Sequence, residues 1–374
     1  MRPGTKSRVD HLRSLLASAD LDVVIITNGT NRRFLTGFTG ADHAPDEPAG
    51  IVLVSGTLAI LFTAGTNLPW AAAEIGDEIE ARQWERPWPE SIARLAAEHR
   101  WTKIGFEERT TTAADYFSLR DRLGDDVSMV AIGPLVDSLR DRKDASELAA
   151  LREALAMTDA AYVAAEAQIR PGQTEREIAD IIRNELRAVG SEGEAFPTIV
   201  ASGPNAAKPH HAPGDRQVQE GEPIIIDMGA IANGYNGDLT RTTWLGHPPE
   251  RLVTIYEAVA AAHQMAIPLY RAGTPGRAVD LQVREFFAER GLNDFFIHGL
   301  GHGLGLRVHE SPSVGPASTD ILAPGQVVTV EPGLYIAGWG GVRIENVVAI
   351  TEGAPENLTG APIRVIQHEK EQAQ

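Results

Sequence analysis

The sequence predicts an α+β chain in two parts: a smaller α/β domain on the N-terminal side and a larger domain built from an internally repeated α+β unit. Three observations predict it. Short β-like runs alternate with helical patterns over residues 1 to about 140; two later helix segments match at a constant offset of 101 residues; and two strands, each ending on an acid, follow those helices at an offset of 104.

In the N-terminal part the β-like runs are DVVIIT from Asp22, GIVLV from Gly50, LAILF from Leu58, KIGFEE from Lys103 and SMVAIG from Ser128. Between them stand helical patterns such as PESIARLAAEHR from Pro89. That alternation is the mark of an α/β arrangement. The charged segment LRDRKDASE then leads into a long helix, in which Asp144 and Glu147 have capping-box spacing and Leu148, Leu151 and Leu155 form the apolar stripe. The boundary falls near Lys143, giving an N-terminal domain over 1–141 and a second domain over 142–374.

The repeat reads as follows. RPGQTEREIADIIR from Arg170 matches RAGTPGRAVDLQVR from Arg271, with Arg170, Gly172, Arg176, Ile178, Ile182 and Arg183 falling on Arg271, Gly273, Arg277, Val279, Val283 and Arg284. In the next strands, GEPIIIDMG from Gly221 and GQVVTVEPG from Gly325, Asp227 falls on Glu331 and Gly229 on Gly333. Two amphipathic helices resemble each other often; an acid falling on an acid makes the match specific. A pseudo-twofold pair of such units would face both acids into one cleft.

Asp227 ends the apolar run Ile224 to Ile226, and Asp238 follows across the strong turn dipeptide Asn233-Gly234. A hairpin there sets the two acids diagonally across from each other on one face. The second half repeats the device with Glu331 and Glu345 about the Gly-rich loop AGWGG, and alternation puts Thr329 with Glu331 and Arg343 with Glu345. Between the hairpins lies HGLGHGLGLRVHE from His298, where close-packed glycine backbone leaves His302 as the natural nitrogen donor. Carboxylates this close repel unless one is protonated or a cation sits between them. Four carboxylates balance two divalent cations, and a pair about 3.5–4 Å apart is the usual spacing for two-metal chemistry. Hard oxygen donors with one imidazole suit Mn²⁺ or Co²⁺, with Zn²⁺ also possible.

Composition narrows the field. The 374 residues include no cysteine, which removes disulfides, thiolate nucleophiles and sulfur-ligated metals together. Lys plus Arg number 34 against 51 Asp plus Glu, a net charge of −17, which speaks against sequence-independent nucleic-acid binding. The segment MRPGTKSRVDHLRSLL has a helical pattern without the apolar core and cleavage site of a secretory signal, and IVLVSGTLAILF from Ile51 is too short to span a bilayer. A cytoplasmic chain with no membrane partner is expected. The GxGxxG, GxxxxGK[ST], HExxH and GxSxG patterns are all missing.

The ordered set Asp227, Asp238, His302, Glu331 and Glu345, carried in IIIDMGAIANGYNGDLTRT, HGLGHGLGLRVHE, VEPGLY and GGVRIEN, resembles the pita-bread metallopeptidases. The likeness covers 142–360 and is strongest to the proline-specific branch of Xaa-Pro aminopeptidase and prolidase; NGTNRRFLTGF is similar to that branch's N-terminal domain. The resemblance implies a pita-bread fold with Asp227 on one metal, His302 and Glu331 on the other, and Asp238 and Glu345 bridging. It further implies His210, His298, His309, Arg343 and Tyr335 as substrate-site residues. The implied reaction is hydrolysis of the bond between an N-terminal residue and proline by a bridging hydroxide. In it Glu331 handles protons, His210 belongs to the catalytic set, and His309 and Arg343 stabilise an oxyanion or a substrate carboxylate. A homodimer and small peptides with proline second are implied as partners. The loop GADHAPDEPAG from Gly40 is a candidate wall against longer peptides. Asn346 follows Glu345 where the family often has Asp. Two alternatives share the fold: a creatinase-like amidinohydrolase working without metal, and a non-catalytic peptide-binding module.

Overall fold

The computed structural model describes residues 5–44 and 46–366, so Met1 to Gly4, Pro45 of the loop from Gly40, and the last eight residues lie outside it. The chain divides into two units, Met1–Arg140 and Asp141–Gln374.

In the N-terminal unit the runs named above become strands Val23–Ile26, Gly50–Ser55, Ala59–Thr63, Lys103–Phe106 and Ser128–Ala131. Among the described residues they form one mixed sheet with Glu80–Gln83 added at the edge beside Ala59–Thr63. That edge strand reads EARQ and carries no apolar pattern, so periodicity does not find it. The central strands are buried along their length, as a sheet covered on both faces requires. The stretch NGTNRRFLTGF forms helix Gly29–Thr36, capped by the Asn28 side chain and closed by Gly37 at φ 79°. The buried carboxylate of Glu107 accepts from the backbone N–H groups of Thr27 and Asn28 at 2.7 and 2.6 Å.

The C-terminal unit opens with helix Ala145–Glu166, whose Asp144–Glu147 capping box is formed and whose Leu151 and Leu155 are buried. The repeat is visible in the backbone. Gly172 and Gly273 both stand at φ 85°, a left-handed value natural to glycine, and open helices Glu175–Ala188 and Gly276–Ala288. Gly172 N donates to Val218 O at 2.9 Å and Gly273 N to Leu322 O at 2.8 Å; Val218 N and Leu322 N return bonds to Gln173 O and Thr274 O. The expected pseudo-twofold α+β architecture is therefore present.

Helix Glu250–Ala266, with the turn that follows it to Leu269, is long and apolar enough to cross a membrane by length and composition. In the fold its Leu252, Ile255, Tyr256 and Val259 are buried in the core beside strands of the second half.

Candidate metal centre

Each half of the repeat delivers its acids on a hairpin, and the register of each hairpin decides how the acids meet. In the first, Ile224–Met228 pairs antiparallel with Leu239–Thr243, Thr240 opposite Asp227. Asn233 and Gly234, at φ 53° and 79°, turn the chain between Ala232 and Tyr235, the geometry of a type I′ turn. Asp238 thus lies diagonal to Asp227 on the same face, as the spacing predicts. In the second hairpin Val330 pairs with Asn346 and Gly333 with Arg343, which sets Glu331 directly opposite Glu345. The device is repeated for the first acid of each half only. The register equivalent of Glu345 is Thr240, and that of Asp238 is Arg343.

Those equivalents bond to one another where the halves meet. Arg343 Nε donates to Thr240 Oγ1 at 2.9 Å, Thr240 Oγ1 donates to Glu345 Oε2 at 2.8 Å, and Glu345 N donates to Thr240 O at 3.0 Å. The two sheets are thereby joined at the carboxylates.

His302 lies on strand Gly301–Gly303, which packs so closely that a Cβ on Gly301 or Gly303 would come within 2.0 Å of backbone oxygens of Thr329 or Ser311. Glycine is required on both sides of it. His302 N donates to Thr329 Oγ1 at 3.0 Å. Its Nδ1 is 3.1 Å from Gly303 O, which can only accept, so Nδ1 carries the proton and Nε2 presents a lone pair. Nε2 stands 3.3 Å from Glu331 Oε1 and 3.9 Å from Asp238 Oδ2.

The donor set fits divalent cations. Ligand atoms of Asp238, His302 and Glu345 lie within 4.8 Å of one another, and Asp227 Oδ1 is buried without a hydrogen-bond partner among the described residues. Burial raises the pKa of Asp227, opposed by Arg343, and drives Asp238 and Glu345 well above the carboxylate range, with neighbouring carboxylates adding to the rise. Burial pushes Glu331 up to about 7, again against the pull of Arg343. Four acids against the single guanidinium of Arg343 are short of positive charge, which divalent cations would supply.

The other predicted residues gather around a cavity of about 780 Å³ lined by His210, His298, His309 and Arg343 together with the five donors. The His309 ring meets the His302 ring edge-on at 4.4 Å. His298 Nδ1 is 2.7 Å from Gly299 O, so it too is the donor, and Nε2 accepts from the Tyr335 hydroxyl at 2.9 Å. Burial holds the His298 pKa down to about 4, which keeps that acceptor neutral. Tyr335 in turn accepts from Arg343 Nη1 at 2.8 Å. Arg343 Nη2 forms an ion pair with Asp227 Oδ2 at 2.6 Å, so this guanidinium is already engaged with a candidate ligand and with Tyr335. Tyr335 is 5% exposed and does not itself line the cavity; it couples His298 to Arg343.

Two residues at the site escape sequence reading. Thr240 shares the face of Asp238 by simple alternation, a signal that was there to find. Arg241 points the other way and is 1% exposed. Its guanidinium donates to the carbonyls of Thr240, Glu345, Ala361 and Pro362 and to Asn346 Oδ1. Asn346, where the family often has Asp, both accepts from Arg241 at 3.0 Å and donates to Asn357 Oδ1 at 2.9 Å, a pair of roles an ionised Asp lacks. On the cavity wall Phe196, Pro197, Ile199, Ile297 and Val308 add apolar surface.

Residues 149–352 match the model of metallopeptidase family M24, and residues 8–141 that of the creatinase/prolidase N-terminal domain. The chain is 33% identical to an uncharacterized peptidase of Bacillus subtilis over 96% of its own length and 99% of the relative's. It is 31% identical to the Xaa-Pro dipeptidase of Pyrococcus horikoshii over 94% and 96% of the two chains. Among solved structures it is similar to an Xaa-Pro dipeptidase from Bacillus anthracis (TM-score 0.90, 34% identity, 97% and 99% covered). It is also similar to an X-Pro aminopeptidase from Thermotoga maritima (TM-score 0.85, 31% identity, 96% and 99% covered). With both matches spanning two consecutive parts of one chain, the protein belongs to metallopeptidase family M24 and carries a creatinase/prolidase N-terminal domain.

Proposed function

We propose that the protein hydrolyses the bond between an N-terminal residue and proline in small peptides, Xaa-Pro dipeptides before longer ones, at a centre holding two divalent ions per chain. The observation that carries the reading is the cluster of the buried Asp227, Asp238 and Glu345 and the half-buried Glu331 around the free Nε2 of His302. Asp227, Asp238, His302, Glu331 and Glu345 would hold the ions, Mn²⁺ by preference. When bound, such a pair polarises a carbonyl oxygen and makes water a nucleophile near neutral pH.

The chain's own residues supply the rest. Glu331, which lines the cavity beside His302 Nε2, is suited to take a proton at Oε from the attacking water and to give it to the departing proline nitrogen. His309 and His210 face the cavity, where imidazole N–H groups can donate to an oxyanion or to the proline carboxylate. His298 is held neutral with its Nε2 occupied by Tyr335, so it fixes the wall, and Arg343 orients Asp227 while adding positive charge behind it. Proline has no N–H to offer, and apolar surface from Phe196, Ile199 and Val308 matches its ring by shape. A homodimer and a cytoplasmic location belong to the same proposal, to be read by light scattering and fractionation.

The test is turnover of Ala-Pro, Ala-Pro-Ala and Ala-Ala before and after chelation. Cleavage of both proline peptides with Ala-Pro faster, no cleavage of Ala-Ala, loss on chelation and recovery with Mn²⁺ are expected. Full activity after chelation, or no preference for proline, would remove the proposal.

A further inference from the structure

We propose that Glu175 and His211 form a latch that positions His210 in the cavity, a role that rests on the proline-peptide reading above. Glu175 is the first residue of helix Glu175–Ala188 and its side chain is fully buried. Oε1 accepts from Ser202 N at 2.9 Å, Ser202 Oγ at 2.8 Å and Asn205 Nδ2 at 3.0 Å. Oε2 accepts from His211 Nε2 at 2.7 Å and Gly214 N at 3.1 Å. One carboxylate therefore ties down both ends of segment 202–214, and that segment carries His210 to the cavity wall.

The helix does not need this acid for its own end. Thr174 and Glu177 already form a complete capping box, Glu177 N donating to Thr174 Oγ1 at 3.1 Å and Thr174 N to Glu177 Oε2 at 2.7 Å. The other half of the repeat has Gly276 at this position, where an added Cβ would come within 2.5 Å of Ser313 O. The shared scaffold thus works without a carboxylate there. What the first half has in addition is the segment with two adjacent histidines: His211 turns inward to Glu175, and His210 is left exposed at the cavity. With a buried, ionised acid gripping the segment at five points, loss of one grip frees the histidine beside it.

The experiment compares His210→Ala, His211→Ala, His211→Gln and the His210→Ala/His211→Ala pair with the wild type, using metal-loaded protein and Ala-Pro. His211→Ala is expected to raise KM about 10-fold with kcat within about 3-fold, the pattern of lost substrate holding without lost chemistry. The double variant is expected to do no more than His210→Ala alone, since both act through one group. His211→Gln, which keeps an N–H donor for Glu175, restores part of the KM. Amide exchange over 203–214 is expected to accelerate in His211→Ala with metal content unchanged, and Glu175→Gln is the shape-preserving substitute should His211→Ala not fold. A KM within about twofold of wild type in His211→Ala, or effects of the two alanines that multiply, overturns the latch. A wild-type enzyme that turns over no proline peptide defeats the functional reading instead, and the exchange measurement then decides the latch by itself: unchanged exchange in His211→Ala overturns it.

Discussion

Gly172 and Gly273 share a φ of 85°, and Gly221 and Gly325 stand at 75° and 88°, so the two halves of the C-terminal unit turn their backbones at the same places. Their side chains diverge at equivalent register positions. Where the second half sets His302 beside Thr329, the first sets Ala201 opposite Ile225; where the second has Glu345, the first has Thr240. One scaffold used twice thus gives two different surfaces: a donor-rich wall from the second half, and from the first a diagonal pair of acids beside an apolar patch of Ile199, Ala201 and Ile225. The difference teaches that duplication supplies the geometry of convergence, while chemistry comes from departures from the repeat.

Substitutions at these departures break the comparison most severely. His302→Ala or Glu331→Gln is expected to lower kcat/KM by about 10³-fold or more, since Lewis-acid stabilisation is worth several kcal/mol. Ile225→Val, at the equivalent of Thr329, is expected to keep kcat/KM near wild type while costing about 1 kcal/mol of stability by denaturant melt. Equal losses of activity at both would mean that the halves are not specialised.

Arg343 is the next largest case. It is 3% exposed and bonds Asp227, Thr240 and Tyr335 at once, in the place that Asp238 takes in the first half. Arg343→Ala in metal-free protein leaves Asp227 without its cation and is expected to destabilise by about 3–5 kcal/mol. Metal loading recovers part of that loss if the ions share the task of neutralising Asp227. Thr329→Val is smaller: it removes the hydroxyl that accepts from His302 N and is expected to cost about 1 kcal/mol, with weaker metal affinity in a binding titration.

A pH dependence lies away from the centre. His263, in helix Glu250–Ala266, is 2% exposed, its Nε2 has no hydrogen-bond partner among the described residues, and burial holds its pKa down to about 3. The unfolded chain takes up this proton near the ordinary value of about 6.5 and the folded chain does not, so stability is lost as pH falls below 6.5 toward 3. The loss is about 1.4 kcal/mol per pH unit at most. His263→Leu is expected to gain about 2 kcal/mol on the wild type between pH 7.5 and pH 5 in chemical denaturation.

How much of this was legible follows from what each signal depends on. The capping box at Asp144 and Glu147, the Asn233-Gly234 turn and the diagonal placement of Asp227 and Asp238 are local, and local rules reach them. The edge strand Glu80–Gln83 lacks a pattern because pairing with Ala59–Thr63, not burial, makes it a strand. Arg241 was out of reach: apart from the adjacent Thr240 carbonyl, its partners lie 104 to 121 residues away in Glu345, Asn346, Ala361 and Pro362, and a buried arginine looks like a surface one until its carbonyls are in place. The commitment of Arg343 to Asp227 was legible only as one of two readings, an ion pair to the metal carboxylates or a contact to substrate. The ion pair to Asp227 is formed, and Arg343 also lines the cavity.

Native mass spectrometry of the metal-free protein titrated with Mn²⁺, read beside Ala-Pro turnover in the same samples, addresses most directly whether cations hold the four acids together. Two ions per chain, turnover rising with the second, and one or none retained in Glu345→Gln are expected. A wild-type chain fully active with no ion bound would contradict the account.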